Sequence, residues 1–237
     1  MPYVYPRTPF NTSEPVFLIG TGCNPNHPGA RDLGFYGIRW GEPVYAVEDG
    51  TVVSVFGNST CFSTEPDPQF PDTNVIPNPN CETGVNRVNK IVIRGNDGFI
   101  TEYVHVLPLS NLMVGSQVQQ GMRLGSVDQS GYTSGAHVHL ERYDFGPNGE
   151  IRRTCNWTIS PDADFFPSTT RGWKQTTNGN WYYFRNNGRP QLGGWPLDEA
   201  DNAQYQLDST TGARTGWKYS RTERACYFRG VSSPCPF

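Results

Sequence analysis

Histidine is scarce in this chain of 237 residues: there are four, His27, His105, His137 and His139. His137-Val138-His139 lies in a stretch where Ala136, Val138 and Leu140 alternate with polar residues, the period of a β-strand. On a strand, positions two apart project from one face, ~6.5–7 Å apart along it. Both imidazoles then share one space while Val138 turns away. Two imidazoles so placed can serve one site in different roles, one binding a metal and the other facing its open position; the plain alternative is two solvent-facing side chains. His105 closes a second apolar stretch, Tyr103-Val104-His105, where a hydrogen-bonded structural histidine is the competing reading. His27 and Asp32 sit in a Pro/Gly-rich loop, residues 26–34.

The elements that must position these groups read as short strands between turns. Strands at 44–46 and 51–56 flank Asp49-Gly50, and strands at 90–94 and 99–106 flank Gly95-Asn96-Asp97-Gly98, so two hairpins are expected. Residues 57–89 carry many Pro, Asn and Thr and read as a surface insertion. A turn-bounded stretch follows at 115–125, then the strand-like alternation of 130–142. No segment sustains a 3.6-residue apolar period, so helix is expected to be scarce and the fold mostly β.

A different rule governs the C-terminal part. Gly172-Trp173, Gly194-Trp195 and Gly216-Trp217 recur every 22 residues, and Tyr183, Tyr205 and Tyr227 each follow the Trp by ten. A unit of this size cannot bury a core alone, which predicts hairpins stacked into a short solenoid. The boundary falls near residue 170, giving a main domain at 1–170 and a repeat module at 171–237. The net charge of −3 hides an asymmetry across that join: 10 Lys/Arg against 17 Asp/Glu before it, and 9 against 5 after it. An acidic body with a basic tail argues against bulk nucleic-acid binding, while the tail suits an anionic surface.

Gly and Pro, 26 and 20 residues, suit a turn-rich globular chain, and 31 aromatic residues suffice for a core. No apolar run approaches the ~20 residues of a membrane span and none resembles a secretory leader, so a soluble chain, possibly a mature form, with no membrane partner is expected. Six cysteines with no C-x-x-C pair favour disulfides and an oxidising compartment. Pairing by proximity gives Cys61–Cys81 and Cys226–Cys235, leaving Cys23 for Cys155, with free buried thiols as the alternative.

From about Gly22 to Tyr143 the chain resembles the lysostaphin-type (LytM-type) zinc metallopeptidases, which cut peptide bonds of bacterial peptidoglycan. The motifs that carry the resemblance run in order: His27-Pro28-Gly29 with Asp32-Leu33-Gly34, the run from Gly41 to Val53, Tyr103-Val104-His105, Val118-Gln119-Gln120-Gly121, Leu124-Gly125, Ser130-Gly131, and Thr133 to Glu141 around His137-Val138-His139. The resemblance implies an antiparallel-sheet peptidase domain, with His27, Asp32 and His139 as ligands of one Zn2+ per chain and His105 and His137 as the catalytic pair beside the attacking water. Either of the pair can be the base. The family usually places the ligand Asp four residues after the first His; here Arg31 is four away and Asp32 five, an extra residue that a loop bulge must absorb. Tyr103, expected on the same face as His105, is a candidate to orient substrate or oxyanion, with core packing as its alternative.

The tail resembles choline-binding and related glucan-binding repeats, most clearly in Gly172-Trp173-Lys174-Gln175 and Gly179 to Phe184. Trp173, Trp181, Tyr183 and Trp195 are then candidates for contact with a wall polymer or glycan by cation–π attraction or stacking. Ala203 and Ala225 replace Trp181 in the later repeats, so at most one full cage is expected. Together these readings predict a secreted, monomeric zinc endopeptidase acting on peptidoglycan cross-links and held by a wall-binding module. The rival reading is a non-catalytic wall- or glycan-binding protein on a peptidase scaffold.

Overall fold

The computed structural model describes residues 1–19, 22–59, 61, 88–131, 133 and 135–236. The body of the 57–89 insertion and the expected Cys61–Cys81 pair therefore lie outside the described residues. Among the described residues the protein is nearly all β, and the one helical turn is the 3-10 segment Pro161–Ala163.

A nine-stranded sheet forms the scaffold. Its order runs Phe165–Phe166, Val16–Leu18, Ala30–Gly34, Val138–Phe145, Ile100–Val104, Lys90–Gly95, Gly50–Phe56 and Gln117–Val118, with Ile151–Arg153 pairing on the far end of Val138–Phe145. Neighbours are antiparallel apart from the parallel pair formed by Phe165–Phe166 and Val16–Leu18. A second sheet, ordered Pro43–Tyr45, Arg123–Val127, Val106–Pro108, covers one face. The core joins Leu33, Ile91, Tyr103, Val138 and Leu140 of the large sheet to Val44, Val106, Leu124 and Val127 of the small one, all at most 1% exposed.

The hairpin expected at Gly95 to Gly98 forms, with Lys90–Gly95 and Ile100–Val104 paired in register. The one expected at Asp49-Gly50 does not. Pro43–Tyr45 pairs with Arg123–Val127, while Gly50–Phe56 pairs with Lys90–Gly95 and Gln117–Val118, so the turn carries the chain from one sheet to the other. A local turn signal fixes a change of direction, and burial of Val44 and Val52 in a two-layer core decides which strands then pair.

In the tail, Gly172–Gln175 and Trp181–Phe184 make one hairpin, and five strands from Leu197–Asp198 to Val231–Ser233 make a second sheet. Each Gly of the Gly-Trp corners has positive φ: 69° at Gly172, 79° at Gly194 and 105° at Gly216, a region that a Cβ disfavours. The repeats are nevertheless not equivalent. Trp173 pairs across the strands with Tyr183, but Trp217 pairs with Phe228 and Lys218 with Tyr227. The left-handed turn residue moves by one position, from Gly179 in the first repeat to Asn202 and Arg224 in the later ones. A one-residue slip exchanges the two faces of a strand, which explains how a strict sequence period yields different aromatic pairings.

The first tail hairpin docks on the main domain. Phe184 meets Phe166 with ring centroids 4.6 Å apart, Tyr182 Oη donates to Glu14 Oε2 at 3.2 Å, and Tyr36 Oη donates to the Pro190 carbonyl at 2.8 Å. Disulfides join Cys23 to Cys155 and Cys226 to Cys235, as the proximity pairing expects.

Candidate metal centre

Strand register assembles the site. His139 lies opposite Asp32 on one neighbouring strand and opposite Val104 on the other, so the three share one face of the sheet. His137 and Glu141, two residues either side of His139, belong to the same face, while Val138 and Leu140 enter the core. Asp32 is thus a strand residue of Ala30–Gly34, not a loop residue as the sequence reading had it. Ala30 and Arg31 already belong to this strand, Gly29 before them takes φ 77°, and the register sets the carboxylate against His139.

The His27 turn is held from several sides. Asn24 Oδ1 accepts the His27 N–H at 3.1 Å and the Asn26 N–H at 2.8 Å, and Cys23 ties the turn to Cys155. The Gly29 carbonyl accepts from Arg142 N and Trp157 Nε1 at 2.9 and 3.0 Å. A Cβ at Gly29 would stand 2.9 Å from the Arg142 carbonyl oxygen and 3.0 Å from Arg153 Cβ, so the close approach itself requires glycine.

These elements bring three donor atoms into a triangle. His139 Nδ1 is 3.0 Å from Asp32 Oδ1 and 3.1 Å from His27 Nε2, and His27 Nε2 is 3.4 Å from Asp32 Oδ1. Ligand atoms ~2.0–2.1 Å from a tetrahedral zinc stand ~3.3 Å from one another, so two imidazoles and one carboxylate at these separations fit that ion and leave a fourth position open. Burial would raise the Asp32 carboxyl, but the His139 hydrogen bond and the surrounding imidazoles hold it below its ordinary value. Burial opposes charge on His139 as well, yet its hydrogen bond to Asp32 and the nearby Glu141 carboxylate lift it to about 9. Without a metal, a proton on His139 supplies the positive charge that the carboxylate calls for.

His105 and His137 stand beside this triangle and are poised differently. His137 Nε2 is 3.5 Å from Asp32 Oδ1, and the His105 and His137 ring centroids are 4.8 Å apart. The strand ends at Val104; His105 takes φ 60°, an uncommon left-handed conformation for a non-glycine residue, with its carbonyl accepting from Asp128 N at 2.9 Å. His105 Nδ1 is 2.7 Å from the Ser130 carbonyl, and His137 Nδ1 is 2.8 Å from that of Gly135. A carbonyl only accepts, so Nδ1 carries the proton in both rings and Nε2 is left as a free base. Burial is the main reason that His105 is lowered to about 3, with His137 adding to it, and burial likewise lowers His137. Both rings are therefore neutral at neutral pH.

Tyr103 does not join them. It lies opposite Leu140, on the core face of the sheet, fully buried, and its hydroxyl accepts the Val47 N–H at 2.8 Å. Because the strand stops at Val104, the two-residue spacing that was to put Tyr103 and His105 on one face does not apply. In the tail, Trp173 meets Tyr183 and Tyr205 edge-on at 5.4 and 5.7 Å and donates Nε1–H to the Leu197 carbonyl at 3.2 Å. Trp195 is half-buried, and Trp181 is 38% exposed. The sequence reading passed over Glu141, Glu102, Lys90 and Arg153, which line the same face as His139 or reach it; the period-two pattern starting at His137 would have marked Glu141.

Residues 75–150, which include His105, His137 and His139, match Peptidase family M23, and residues 172–189 match the family described as "Putative cell wall binding repeat". Similar solved structures include a zinc containing peptidase from Vibrio cholerae, with 18% identity over 67% of this chain and 41% of that one, at a TM-score of 0.41. The catalytic domain of the antimicrobial peptidase lysostaphin from Staphylococcus simulans is 22% identical over 64% of this chain and 85% of that one, at 0.36. The solution structure of lysostaphin is 15% identical over 90% and 93%, at 0.41. This chain spans less than half the length of the Vibrio peptidase. The peptidase-like segment thus precedes the segment that is similar to a cell wall binding repeat.

Proposed function

We propose that this protein is a secreted, zinc-dependent endopeptidase that hydrolyses peptide cross-links of bacterial peptidoglycan, is bacteriolytic, and is held on the wall by its repeat module as a monomer. The observation that carries the reading is the donor triangle of His27, Asp32 and His139 beside two neutral imidazoles whose Nε2 atoms are free. Zinc, when bound, supplies a Lewis acid that polarises a carbonyl and makes water acidic near neutral pH. His105 or His137 takes the proton of the attacking water on Nε2 while its Nδ1–H stays on the backbone carbonyl. The protonated ring then donates to the developing oxyanion or passes the proton to the leaving amine as the C–N bond breaks.

The rival reading, a non-catalytic wall binder, rests on the extra residue before Asp32; the pairing of Asp32 with His139 speaks for the peptidase reading. The exposed Trp181, beside Trp173 and Tyr183 on the first hairpin, is the part of the tail best suited to meet a wall polymer or glycan. The test is release of new amino groups from purified peptidoglycan. Activity is expected to vanish with a zinc chelator and return with added zinc; release that persists at full rate in chelator, or none under any condition, would refute the reading.

A further inference from the structure

His139 presents Nδ1 to the donor triangle, so its other ring nitrogen, Nε2, points away from it; there Glu141 Oε2 lies 3.9 Å off. Glu141 is two residues along the same strand, on the same face, with 11% of its side chain exposed. Its other oxygen, Oε1, is bound by Arg153 Nε. Glu102, directly across the strands from Glu141, does not compete for that arginine: it takes Lys90 Nζ at 2.8 Å and the Tyr143 hydroxyl at 2.9 Å. The Glu141 carboxylate is therefore aimed, with one oxygen anchored and the other turned to the histidine. Arg153 also abuts Gly29, within the turn that carries His27, and so braces both histidine-bearing segments. His27 has no such support; its outer nitrogen, Nδ1, is buried without a hydrogen-bond partner among the described residues.

We propose that Glu141, braced by Arg153, is a positioning residue for the metal centre: it holds the Nε2–H of His139 and thereby fixes the ring with Nδ1 turned to the ion. The inference rests on the zinc reading above. A carboxylate behind a ligand histidine sets which nitrogen keeps the proton and raises ligand basicity, and losing such a partner typically costs about 10–100-fold in metal affinity. It also gives a use to the last residue of the His137-Val138-His139-Leu140-Glu141 motif, which the hydrolytic chemistry leaves without one.

The experiment is competition for zinc between the full-length protein and a chromophoric chelator, for wild type, Glu141→Ala, Glu141→Gln and Arg153→Ala, with thermal melting of the metal-free forms as the control for folding. Glu141→Ala is expected to bind zinc about 10–100-fold more weakly. Glu141→Gln, which keeps an acceptor oxygen, and Arg153→Ala are each expected to fall between Glu141→Ala and wild type. Affinity of Glu141→Ala within about threefold of wild type overturns the inference. Should Glu141→Ala fail to melt cooperatively, the near-isosteric Glu141→Gln decides, and affinity equal to wild type overturns it. Wild-type protein that binds no zinc is a different result: it overturns the proposed function itself, and this inference with it.

Discussion

The histidine face of the large sheet and the aromatic face of the tail are both built by side chains in register across antiparallel strands, yet they are satisfied differently. In the tail the rings meet each other. Trp173 sits edge-on to Tyr183 and Tyr205, Arg214 covers the Tyr205 ring at 3.5 Å, and Asp201 takes the Tyr205 hydroxyl. On the histidine face His105 and His137 each spend Nδ1 on a backbone carbonyl, while His27 Nε2, His137 Nε2 and His139 Nδ1 stand 3.4, 3.5 and 3.0 Å from one oxygen, Asp32 Oδ1. Repetition in sequence reports packing first, whereas convergence of ring nitrogens with free bonding capacity reports chemistry.

The contrast breaks most sharply under loss of His105, one of the two residues proposed to move protons. His105→Ala is expected to lower turnover on peptidoglycan by about 10²–10⁴-fold, the share of a positioned general base, measured as the initial rate of amine release. A rate within threefold of wild type would remove His105 from the chemistry. Replacing Cys23 and Cys155 together by Ser frees the His27 turn from a cross-link spanning 132 residues. A loss of about 2–5 kcal/mol in denaturant unfolding is expected.

The buried state of His105 predicts a pH effect of definite sign. Its folded pKa is lowered by burial to about 3 from the ordinary 6.5, so between these values the unfolded chain takes up a proton that the folded one does not. Stability of the metal-free protein then falls as pH drops below 6.5 and is fully present above it. Between pH 6.5 and 5 this amounts to about 1.5 kcal/mol, which His105→Phe should remove from the difference between the two unfolding curves. On the aromatic side the effects are smaller. Trp181→Ala, at an exposed position, is expected to change stability by no more than about 0.5 kcal/mol while reducing the fraction that sediments with walls. Undiminished sedimentation would mean that this face only packs.

The H-x-H spacing put His137 and His139 on one face, because period-two geometry holds on any strand, whereas His27, Asp32 and His105 entered the candidate site only through the resemblance to the lysostaphin-type peptidases. The Gly-Trp corners of the tail were legible as turns, since their positive φ constrains the residue type. What escaped was set at longer range. The partner of the 43–45 strand depends on a second sheet, the place of Asp32 depends on register with His139, and the burial of Tyr103 depends on where its strand stops. The docking of Tyr182 and Phe184 on Glu14 and Phe166 was equally hidden, since a paired aromatic in a hairpin looks the same whether it meets a ligand or a domain.

The central claim divides five residues into two groups, three that hold the metal and two that move protons. Zinc per chain in purified wild type, His27→Ala, Asp32→Ala, His139→Ala, His105→Ala and His137→Ala tests that division directly. The account predicts one zinc in wild type, none in the first three variants, and one in His105→Ala and His137→Ala despite their lost activity. Zinc retained by His139→Ala, or lost from His105→Ala while the fold is intact, would contradict it.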